Sequence, residues 1–501
     1  MKANRGEPTP PIDLPDKVRP RFGDERPSLP DALLTKLQGV CDEVIVDGRV
    51  LDESGRDWWP LTMTWALEGQ VPGRAGAIVR PRDVEEVSEV LALCNDARVP
   101  VTAMAGRSGV CGGSVPVHGG VGLDLCGLSG IVDADDASLT VTARAGTFGD
   151  VFEDEVRAAY GLTVGHWPQS MALSTVGGWV ACRGAGQYST RYGKIEDIVT
   201  GLQVVLADGR VVRTGGWPRA AAGPDLTQVF VGSEGTLGVI TEATLRAHPV
   251  PAYERRAAYG FGSFHEGLEA CRRVLRRGGN PAVLRLYDTI ESGRNFDLGD
   301  HNLLLVLDEG DAAFVDANLA LAGEECAGAT VLDDEVVDRW LEHRNDVSAL
   351  ERVVRLGVVV DTIEIAARWA ALPHIYDDVV AAVSAIEHTV NVSAHQSHAY
   401  TDGACLYFTF AGRLPDDVNT IDAKNAYYRQ AWDAATHAVL AAGGALSHHH
   451  GVGLNRARFM PAALGPAFDT LVAMKRALDP NGILNPGKLG LPDPFGDVAW
   501  P

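Results

Sequence analysis

The apolar positions near residue 80 predict a β-α-β unit. The segment 77–80, Ala-Ile-Val-Arg, has the composition of a short strand, and Asp83 followed by Glu86 has the spacing of a capping box. The helix that follows repeats apolar residues at helical spacing, at Val84, Val87, Leu91 and Cys94. A second apolar run, 101–105, ends in the glycine-rich loop 106–113. In α/β sheets this position, at the carboxyl end of a strand, usually binds ligands.

The pattern of the chain changes near Pro249. Before this residue, turns separate predicted strands at 138–145, 197–206 and 211–214. Two further glycine-rich stretches lie in the same region, at 174–181 and 232–240. After it, predicted helices at 264–277, 311–328 and 369–386 are interleaved with predicted strands at 302–308 and 406–410. This change predicts a boundary between two domains, and 501 residues are enough for two.

Composition and charge exclude several classes of function. The formal net charge of -22 repels phosphate backbones, so we expect no nucleic-acid partner. No apolar run reaches the roughly 18 residues that cross a bilayer, and residues 1–30 lack the apolar stretch of a secretory signal. The eight cysteines form no CxxC pair, which favours reduced thiols. The default expectation is a cytoplasmic protein with a small-molecule substrate, and a homodimer is one of the arrangements that the sequence allows.

The glycine-rich stretches have two interpretations. Glycine lets the backbone approach a ligand closely, so that its N–H groups can line a diphosphate. The loop 106–113 lacks the dinucleotide-binding spacing and the Gly-Lys-Ser/Thr of a P-loop. Taken alone, it is more typical of tight turns in an ordinary α/β domain. The hypothesis of a bound cofactor therefore depends on the three stretches together.

Two segments resemble the FAD-binding domain of the alkyldihydroxyacetonephosphate synthase family. The first is PQSMALSTVGGWVACRGAG at 168–186, continued by YGKIED at 192–197, and the second is GSEGTLGVITEA at 232–243. The resemblance extends from about residue 70 to about residue 490, in the family's order. The chain is thereby similar to the FAD-binding PCMH-type proteins, the superfamily of vanillyl-alcohol oxidase.

This resemblance implies a fold of mixed α+β and α/β class. A two-subdomain PCMH-type FAD-binding domain is expected to precede an α+β substrate domain, the cap, which has an antiparallel sheet. The expected parts are an N-terminal arm with helices over 1–69, the FAD-binding domain over 70–250, the substrate domain over 251–460, and a C-terminal segment over 461–501 that returns to the FAD domain.

The resemblance also implies that FAD is bound without a covalent link. Related flavoenzymes that tether the flavin use a histidine in the first loop, where this chain has Arg107 and Ser108. The residues expected to bind FAD come from all three stretches and are Ala103, Met104, Ala105, Gly106, Arg107, Ser108, Gly109, Gln169, Ser170, Leu173, Ser174, Thr175, Gly177, Gly178, Cys182, Arg183, Gly184, Ala185, Glu234, Gly235, Thr236, Leu237, Gly238, Val239 and Ile240.

Three consecutive histidines, His448, His449 and His450, are the clearest candidates for chemistry. Acid–base catalysis is favoured because imidazole exchanges protons near neutral pH. A zinc site built on His448 and His450, and a structural pair of buried histidines, are the alternatives, and no metal is expected. The run HHHGVG matches the synthase family, in which it lies beside the flavin. His395 and His398, further upstream, fit either the pocket or a structural role.

Three further candidates come from the resemblance. The catalytic tyrosine of the family matches Tyr407, which would otherwise fit an apolar strand and which needs a basic neighbour to give up a proton. Arg285 matches a functionally sensitive arginine, and a guanidinium suits an anionic substrate group. The other active-site arginine of the family falls on Leu350 here, which makes the nearby Arg352 a candidate replacement.

Three functions fit these residues. In the first, a redox flavoenzyme oxidises a small hydroxylated or carboxylated substrate: Tyr407 or a histidine removes a hydroxyl proton while hydride passes to flavin N5. In the second, the resemblance implies a synthase that replaces an acyl group of a dihydroxyacetone phosphate by a fatty alcohol through a flavin adduct. The third is a flavin-binding module without catalysis, in which the tyrosine and histidines would be idle. The departures from the family in the pocket favour the first.

Overall fold

The computed structural model describes residues 10, 12–23, 28–347, 349–498 and 500. Within them the strands, numbered β1 to β20 in chain order, are Arg19–Pro20, Glu43–Ile45, Gln70–Val71, Ala77–Arg80, Val101–Met104, Val121–Asp124, Ile131–Asp135, Thr140–Arg144, Leu162–Thr163, Val199–Val205, Val211–Gly215, Val239–Arg246, His248–Pro249, Tyr253–Phe261, Val283–Tyr287, Asn302–Gly310, Thr330–Leu332, Val359–Arg368, Thr389–Ala399 and Gly403–Gly412. The α-helices, numbered α1 to α18, are Asp31–Val40, Gly48–Ser54, Pro60–Ala66, Val84–Ala97, Gly149–Tyr160, Val176–Cys182, Ser189–Tyr192, Ile195–Ile198, Thr227–Phe230, Phe264–Arg276, Thr289–Phe296, Ala312–Glu325, Glu335–His343, Ala349–Arg355, Leu372–Ser384, Ile421–Ala441, Met460–Leu464 and Ala467–Leu478.

The first half of the chain forms two larger sheets, besides the two-stranded sheets β1-β3 and β13-β9. A four-stranded sheet has the order β2-β4-β6-β5, in which β4, β6 and β5 run parallel. A five-stranded antiparallel sheet has the order β11-β10-β12-β8-β7. The buried face of α4 packs on the first sheet through Val87 and Leu91. Phe152 of α5 and Trp179 of α6 pack on the second sheet.

The second half forms one antiparallel sheet of seven strands, in the order β17-β14-β16-β15-β19-β20-β18. Helices α10, α12, α15 and α16 supply much of the apolar core on one face, where Leu268, Val315 and Trp432 are buried. On the other face, Tyr188 and Tyr192 of the first half of the chain pack with Val283 and Leu305 of the sheet. The seven-stranded sheet therefore has one face in its own core and one face toward the first half of the chain.

The end of the chain returns to the first half. Val101 of β5 forms a parallel bridge with Leu484, and Ile483 and Leu484 are buried in the core of the four-stranded sheet. Helix α18 packs against the core of the five-stranded sheet through Leu471, Met474 and Leu478. The predicted architecture, a two-sheet domain followed by an α+β domain with an antiparallel sheet, is confirmed. No helix in the described part of the chain has both the length and the apolarity that a membrane crossing requires.

Two local expectations were wrong in detail. The strand expected over 197–206 begins only at Val199, because residues Ile195–Ile198 form the short helix α8. The capping box at Asp83 is only half formed. Asp83 accepts a hydrogen bond from the backbone N–H of Glu86 (2.9 Å), but Glu86 accepts one from the backbone N–H of Arg82 (2.8 Å). The guanidinium of Arg82 also binds this carboxylate, which draws it one residue toward the N-terminus. The N-terminal arm expected over 1–69 lies partly outside the described residues.

Candidate active site

One face of the seven-stranded sheet carries a row of polar side chains. Glu364 of β18 lies opposite Tyr407 of β20, and Tyr407 lies opposite His395 of β19. His395 in turn lies opposite Tyr287 of β15. Directly opposed residues in a sheet share a face, whereas the next residue, Leu406, lies in the apolar core. The row places an acid, a phenol and an imidazole side by side from positions far apart in sequence.

Tyr407 is surrounded by imidazole rings. The ring of His395 stacks on it at a centroid distance of 4.7 Å, and the ring of His449 lies nearly parallel at 6.0 Å. His450 approaches edge-on at 5.3 Å. Burial raises the pKa of Tyr407 above its ordinary value, so the phenol is protonated at neutral pH. Three imidazole rings therefore lie within 6.0 Å of the ring of this phenol.

A single buried carboxylate, Glu364, holds the histidine run in place. It accepts hydrogen bonds from the backbone N–H groups of His448, His449 (3.0 Å) and His450 (3.1 Å). The Ser447 hydroxyl donates to it at 2.8 Å, and the fully buried Arg456 pairs with it at 2.8 Å. Burial alone would raise the pKa of Glu364, but Arg456, the imidazoles and the amide donors hold that pKa well below its ordinary value. The carboxylate is therefore charged, and it holds in place the loop of residues 447–453, which we call the histidine loop.

The same region contains a set of metal-ligand atoms. Ligand atoms of Glu364, Cys405, His448 and His449 lie within 4.8 Å of one another. Both oxygens of Glu364 already accept from the loop amides, Ser447 and Arg456, so a cation could use this carboxylate only by breaking those bonds. The donor set fits a hydrogen-bonded network better than a metal site.

His395 is fixed as a neutral ring between two charged side chains. Its Nδ1 atom bonds the buried carboxylate of Glu291 at 2.7 Å, and its Nε2 atom bonds the guanidinium of Arg285 at 2.6 Å. A guanidinium can only donate, so Nε2 accepts and Nδ1 donates to Glu291. Burial and Arg285 lower the pKa of His395 to about 4, against the opposing effect of Glu291. Both nitrogens are occupied, so His395 positions Arg285 and Tyr407 rather than acting as the base.

Two guanidinium groups lie over one aromatic ring beside this row. Arg285 is 6.0 Å and Arg344 is 5.5 Å from the ring centroid of Trp340. Arg344 also lies over Trp167 and Tyr188 of the first half of the chain. None of the ion pairs formed among the described residues includes Arg285 or Arg344. Two half-buried cations without carboxylate partners are suited to an anionic ligand.

The three glycine-rich stretches meet at this face. A Cβ atom at Gly106 would collide with the carbonyl oxygen of Leu173, which shows how closely the first and second stretches approach. Gly235, at φ +72°, lies against Ala103, and the Glu234 N–H donates to the carbonyl of Ala181 at 2.9 Å. The first stretch thus contacts the second and third, and the second contacts the third.

Glu234 joins the third stretch to the histidine loop. Its two carboxylate oxygens accept from the backbone N–H groups of Val452 (2.6 Å) and Gly453 (2.7 Å). Glu234 has a left-handed backbone, with φ +50°. The thiol of Cys182, in the second stretch, also donates to the carbonyl of His449 at 3.5 Å. The histidine loop is therefore fixed to the glycine-rich stretches as well as to the cap.

Several residues expected to bind FAD use their side chains within the protein. The guanidinium of Arg107 donates to the carbonyl of Glu53 at 2.8 Å, that of Arg183 pairs with Glu196 at 3.2 Å, and Thr175 caps α6. These side chains are thus unavailable to a ligand unless their contacts change. Their backbone N–H groups are the part that could line a diphosphate.

Buried polar atoms without partners fit a ligand at this position. Among the described residues they include both ring nitrogens of His166, Oδ2 of Asp57, Nδ1 of His450, and the hydroxyls of Ser114 and Ser233, all within or beside the three stretches and the histidine loop. Buried polar atoms in proteins nearly always have hydrogen-bond partners. A cofactor with polar edges and a diphosphate, such as FAD, would supply partners of this kind.

The structure gathers most of the sequence-predicted catalytic residues but not all of them. Tyr407, His449, His450 and Arg285 lie together, and His448 stacks on the neighbouring His398. Arg352 is different: it is exposed on α14, and none of the hydrogen bonds or ion pairs among the described residues joins it to the group. Val354, two residues later, is the buried residue of α14, which turns Arg352 toward solvent. The expectation that Arg352 replaces the family's arginine is not supported by this placement.

Four contributing residues were missed from the sequence: Glu291, Arg344, Glu364 and Arg456. Glu364 had a usable signal, since it is an acid inside the apolar strand β18 and such residues are rarely buried without a partner. Glu291 and Arg456 had none, because the partners that bring them to the site, His395 and Glu364, lie 104 and 92 positions away in sequence. Arg344 had none because its contacts with Trp167 and Tyr188 join distant parts of the chain.

Two family models match the chain. One, described as FAD binding domain, matches residues 75–215, and the other, described as FAD linked oxidases, C-terminal domain, matches residues 250–489. An uncharacterized FAD-linked oxidoreductase of Escherichia coli (strain K12), YgcU, is 31% identical over 439 residues, which cover 82% of this chain and 88% of that protein. An alkyldihydroxyacetonephosphate synthase of Trypanosoma brucei brucei is 29% identical and covers 90% of this chain and 78% of its own length. The glycolate oxidase subunit GlcD of Bacillus subtilis (strain 168) is 28% identical, covering 86% and 92%.

Solved structures show the same fold. An alkyldihydroxyacetonephosphate synthase superposes with a TM-score of 0.75 at 23% identity, covering 95% of this chain and 88% of the other. A 4-ethylphenol oxidase from Gulosibacter chungangensis superposes with a TM-score of 0.74 at 18% identity, covering 96% and 99%. At these identities the likeness concerns the fold alone.

Proposed function

Because the chain belongs to the FAD-linked oxidoreductase family, we propose that it oxidises a small substrate carrying both a hydroxyl and a carboxylate group. FAD, when bound, supplies the acceptor for a hydride at its N5 atom. The three glycine-rich stretches, 103–109, 169–185 and 234–240, would hold it mainly through their backbone. The observation that carries the proposal is the pair of guanidinium groups without a carboxylate partner, beside a phenol flanked by neutral imidazoles.

Arg285 and Arg344 bind the carboxylate group of the substrate. A planar guanidinium binds a carboxylate through two parallel hydrogen bonds. Arg285 is held in position by His395 and Tyr287, which accept from it at 2.6 Å each. With the carboxylate at Arg285, a hydroxyl on the next carbon would be directed toward Tyr407, the neighbour of His395 in the sheet. The similarity to a glycolate oxidase subunit supports the same substrate class.

Tyr407 and the histidines exchange the hydroxyl proton. Burial lowers the pKa of His450 to about 4, so the ring is neutral at pH 7, with its Nδ1 3.7 Å from the carboxylate of Glu364. Tyr407 can donate its proton to a neighbouring imidazole while taking the substrate proton, and no net charge then accumulates on the phenol.

Anaerobic addition of candidate substrates tests the proposal. Small 2-hydroxy acids should bleach the oxidised flavin absorbance, whereas matched alcohols without the carboxylate should do so more slowly. Tyr407→Phe should lower the bleaching rate by about 100-fold or more while FAD stays bound. Tyr427→Phe is the matched control, since Tyr427 lies in the cap core with its hydroxyl near Thr389. Wild-type rates in Tyr407→Phe would remove the catalytic assignment.

The synthase-type exchange is the second candidate, and similarity to alkyldihydroxyacetonephosphate synthases over most of the chain favours it. Under this proposal an acyl group is replaced by a fatty alcohol and the flavin ends oxidised. A labelled fatty alcohol should then enter an ether product in air or under nitrogen alike. Label incorporation without bleaching would select this candidate over the redox one.

FAD should be dissociable under either proposal. The first loop presents Arg107, whose side chain is bound to Glu53, where tethering relatives have histidine. Acid precipitation should therefore release all the flavin into the supernatant. Flavin that remained with the precipitated protein would show a covalent link at another residue.

A further inference from the structure

A chain of five hydrogen-bonding side chains leads away from the histidine loop. His449 Nδ1 lies 2.9 Å from His448 Nδ1, and His448 Nε2 lies 3.0 Å from the hydroxyl of Tyr400. Tyr400 lies 3.0 Å from the hydroxyl of Ser189, which lies 2.7 Å from Nδ1 of His398. We call these five residues the relay. Ser189 and Tyr400 stand outside the sequence-predicted active residues.

We propose that the relay carries the substrate's hydroxyl proton from His449 through His448 to Tyr400. This proposal rests on the proposed redox function. Tyr400 ends the path because it is half-buried and begins the turn between β19 and β20, where Thr401 and Asp402 are exposed. Ser189 and His398 are buried and act as positioning residues that orient the Tyr400 hydroxyl.

The proton count along the relay balances. At the start, His449 donates from Nδ1 to His448 and His448 donates from Nε2 to Tyr400. Ser189 also donates to the Tyr400 oxygen, so the hydroxyl proton of Tyr400 is not held by either neighbour. When Tyr407 takes the substrate's proton and passes its own to Nε2 of His449, the Nδ1 proton of His449 passes to His448, and the Nε2 proton of His448 passes to Tyr400. The original hydroxyl proton of Tyr400 leaves to water. Each residue gains one proton and loses one, and the reverse passage restores the first arrangement.

The surroundings favour passage over storage of the proton. The ring centroids of His398 and His448 stack at 4.9 Å, and those of Tyr400 and His448 at 5.6 Å. This stacking holds the rings in the orientation in which their hydrogen bonds form. Burial lowers the pKa of His448 and of His449 well below the ordinary value, so neither ring keeps an extra proton at neutral pH. Lys194, which binds the carbonyl of His448 at 2.5 Å, adds to this effect.

Nitrogen NMR of the histidines tests the relay without any substrate. In FAD-loaded protein labelled with 15N, the nitrogens of His448 and His449 should show shifts averaged between the two tautomers. Tyr400→Phe removes the hydroxyl that His448 faces, so both rings should collapse to one fixed tautomer. Tyr427→Phe should leave all histidine shifts unchanged. Fixed tautomers in the wild-type protein, or no change of His449 in Tyr400→Phe, would overturn the relay even if the substrate class proves wrong.

Transient kinetics give the second readout. Tyr400→Phe should slow flavin bleaching by a 2-hydroxy acid about 100-fold, with a larger solvent isotope effect on that step. Added imidazole buffer should restore part of the rate by taking the proton in place of the phenol. Ser189→Ala, which only misorients Tyr400, should slow the step less. A Tyr400→Phe rate equal to that of the wild type, or a loss that imidazole leaves unchanged, would contradict proton transfer through Tyr400. A wild-type flavin that no hydroxy acid bleaches would instead contradict the proposed function.

Discussion

The two sides of the candidate active site are built by different means. On the side of the glycine-rich stretches, close approach of backbone at Gly106 and Gly235 makes the contacts, and the polar side chains of Arg107 and Arg183 point elsewhere. On the cap side, the contacts are made by side chains, and Glu364 alone accepts hydrogen bonds from five groups. A backbone site can serve one cofactor in many proteins, whereas a side-chain site can be changed residue by residue. The substrate side is therefore where relatives with one cofactor can differ in reaction.

Removing the Glu364 carboxylate should have the largest effect. Glu364→Ala leaves Arg456 buried and without its partner, so we expect a loss of about 3–5 kcal/mol in the free energy of unfolding. The histidine loop should lose its order, and activity should fall below detection. Denaturant titration followed by tryptophan fluorescence measures the first effect.

Glu351→Ala is the matched control for Glu364→Ala. The Glu351 pair with Arg355 lies on the surface of α14, so its loss should change stability by no more than about 0.5 kcal/mol. Equal losses in the two variants would show that Glu364 is not the anchor of the cap side.

Acid should weaken the cap side through its buried neutral histidines. Burial lowers the pKa of His395 and of His450 from 6.5 to about 4 in the folded protein. Between these values the unfolded chain binds protons that the folded chain cannot, so stability falls as pH falls from about 6.5 toward 4. The expected loss is about 2 kcal/mol for each such histidine between pH 7.5 and pH 5, measured by denaturant titration at the two pH values.

A variant isolates this effect. His395→Gln should flatten the pH dependence of stability, whereas His343→Gln, at an exposed position of α13, should leave it unchanged. The same pH slope in His395→Gln as in the wild type would show that His395 titrates normally.

The contrast between the two sides also explains what the sequence could predict. The glycine-rich stretches are contiguous, so their spacing and resemblance are enough to indicate FAD. Tyr407 was identified only through the family, since a tyrosine in the apolar strand β20 is otherwise typical of a core. The partnerships of Glu364 with Arg456 and of Glu291 with His395 join residues 92 and 104 positions apart, and no local pattern encodes them. Arg352 illustrates the opposite error: it is close in sequence to the expected position, but the helix turns it to solvent.

A single added methyl group should weaken the cofactor side. Gly235 has φ +72° and lies against Ala103, so Gly235→Ala should cost about 1–2 kcal/mol and loosen the contact between the first and third stretches. FAD affinity should fall as well. Gly216→Ala is the control, because Gly216 has φ +86° with open space around it and lies on an exposed loop. It should lose similar stability without loss of FAD affinity. Equal flavin affinity in the two variants would place the cofactor away from Gly235.

The smallest effect on stability and activity is expected from substitution of Arg352, and this result bears directly on which residues belong to the cap side of the site. If the cap side is defined by the side chains that face Tyr407, then the exposed Arg352 contributes nothing to it, and Arg352→Ala should change stability by less than about 0.5 kcal/mol. The rate of flavin bleaching should stay at the wild-type value. Arg344→Ala, in contrast, removes one of the two guanidiniums over Trp340 and should raise the substrate concentration needed for half-maximal bleaching. A strong kinetic defect in Arg352→Ala with none in Arg344→Ala would mean that α14 moves to bring Arg352 into the site when substrate binds.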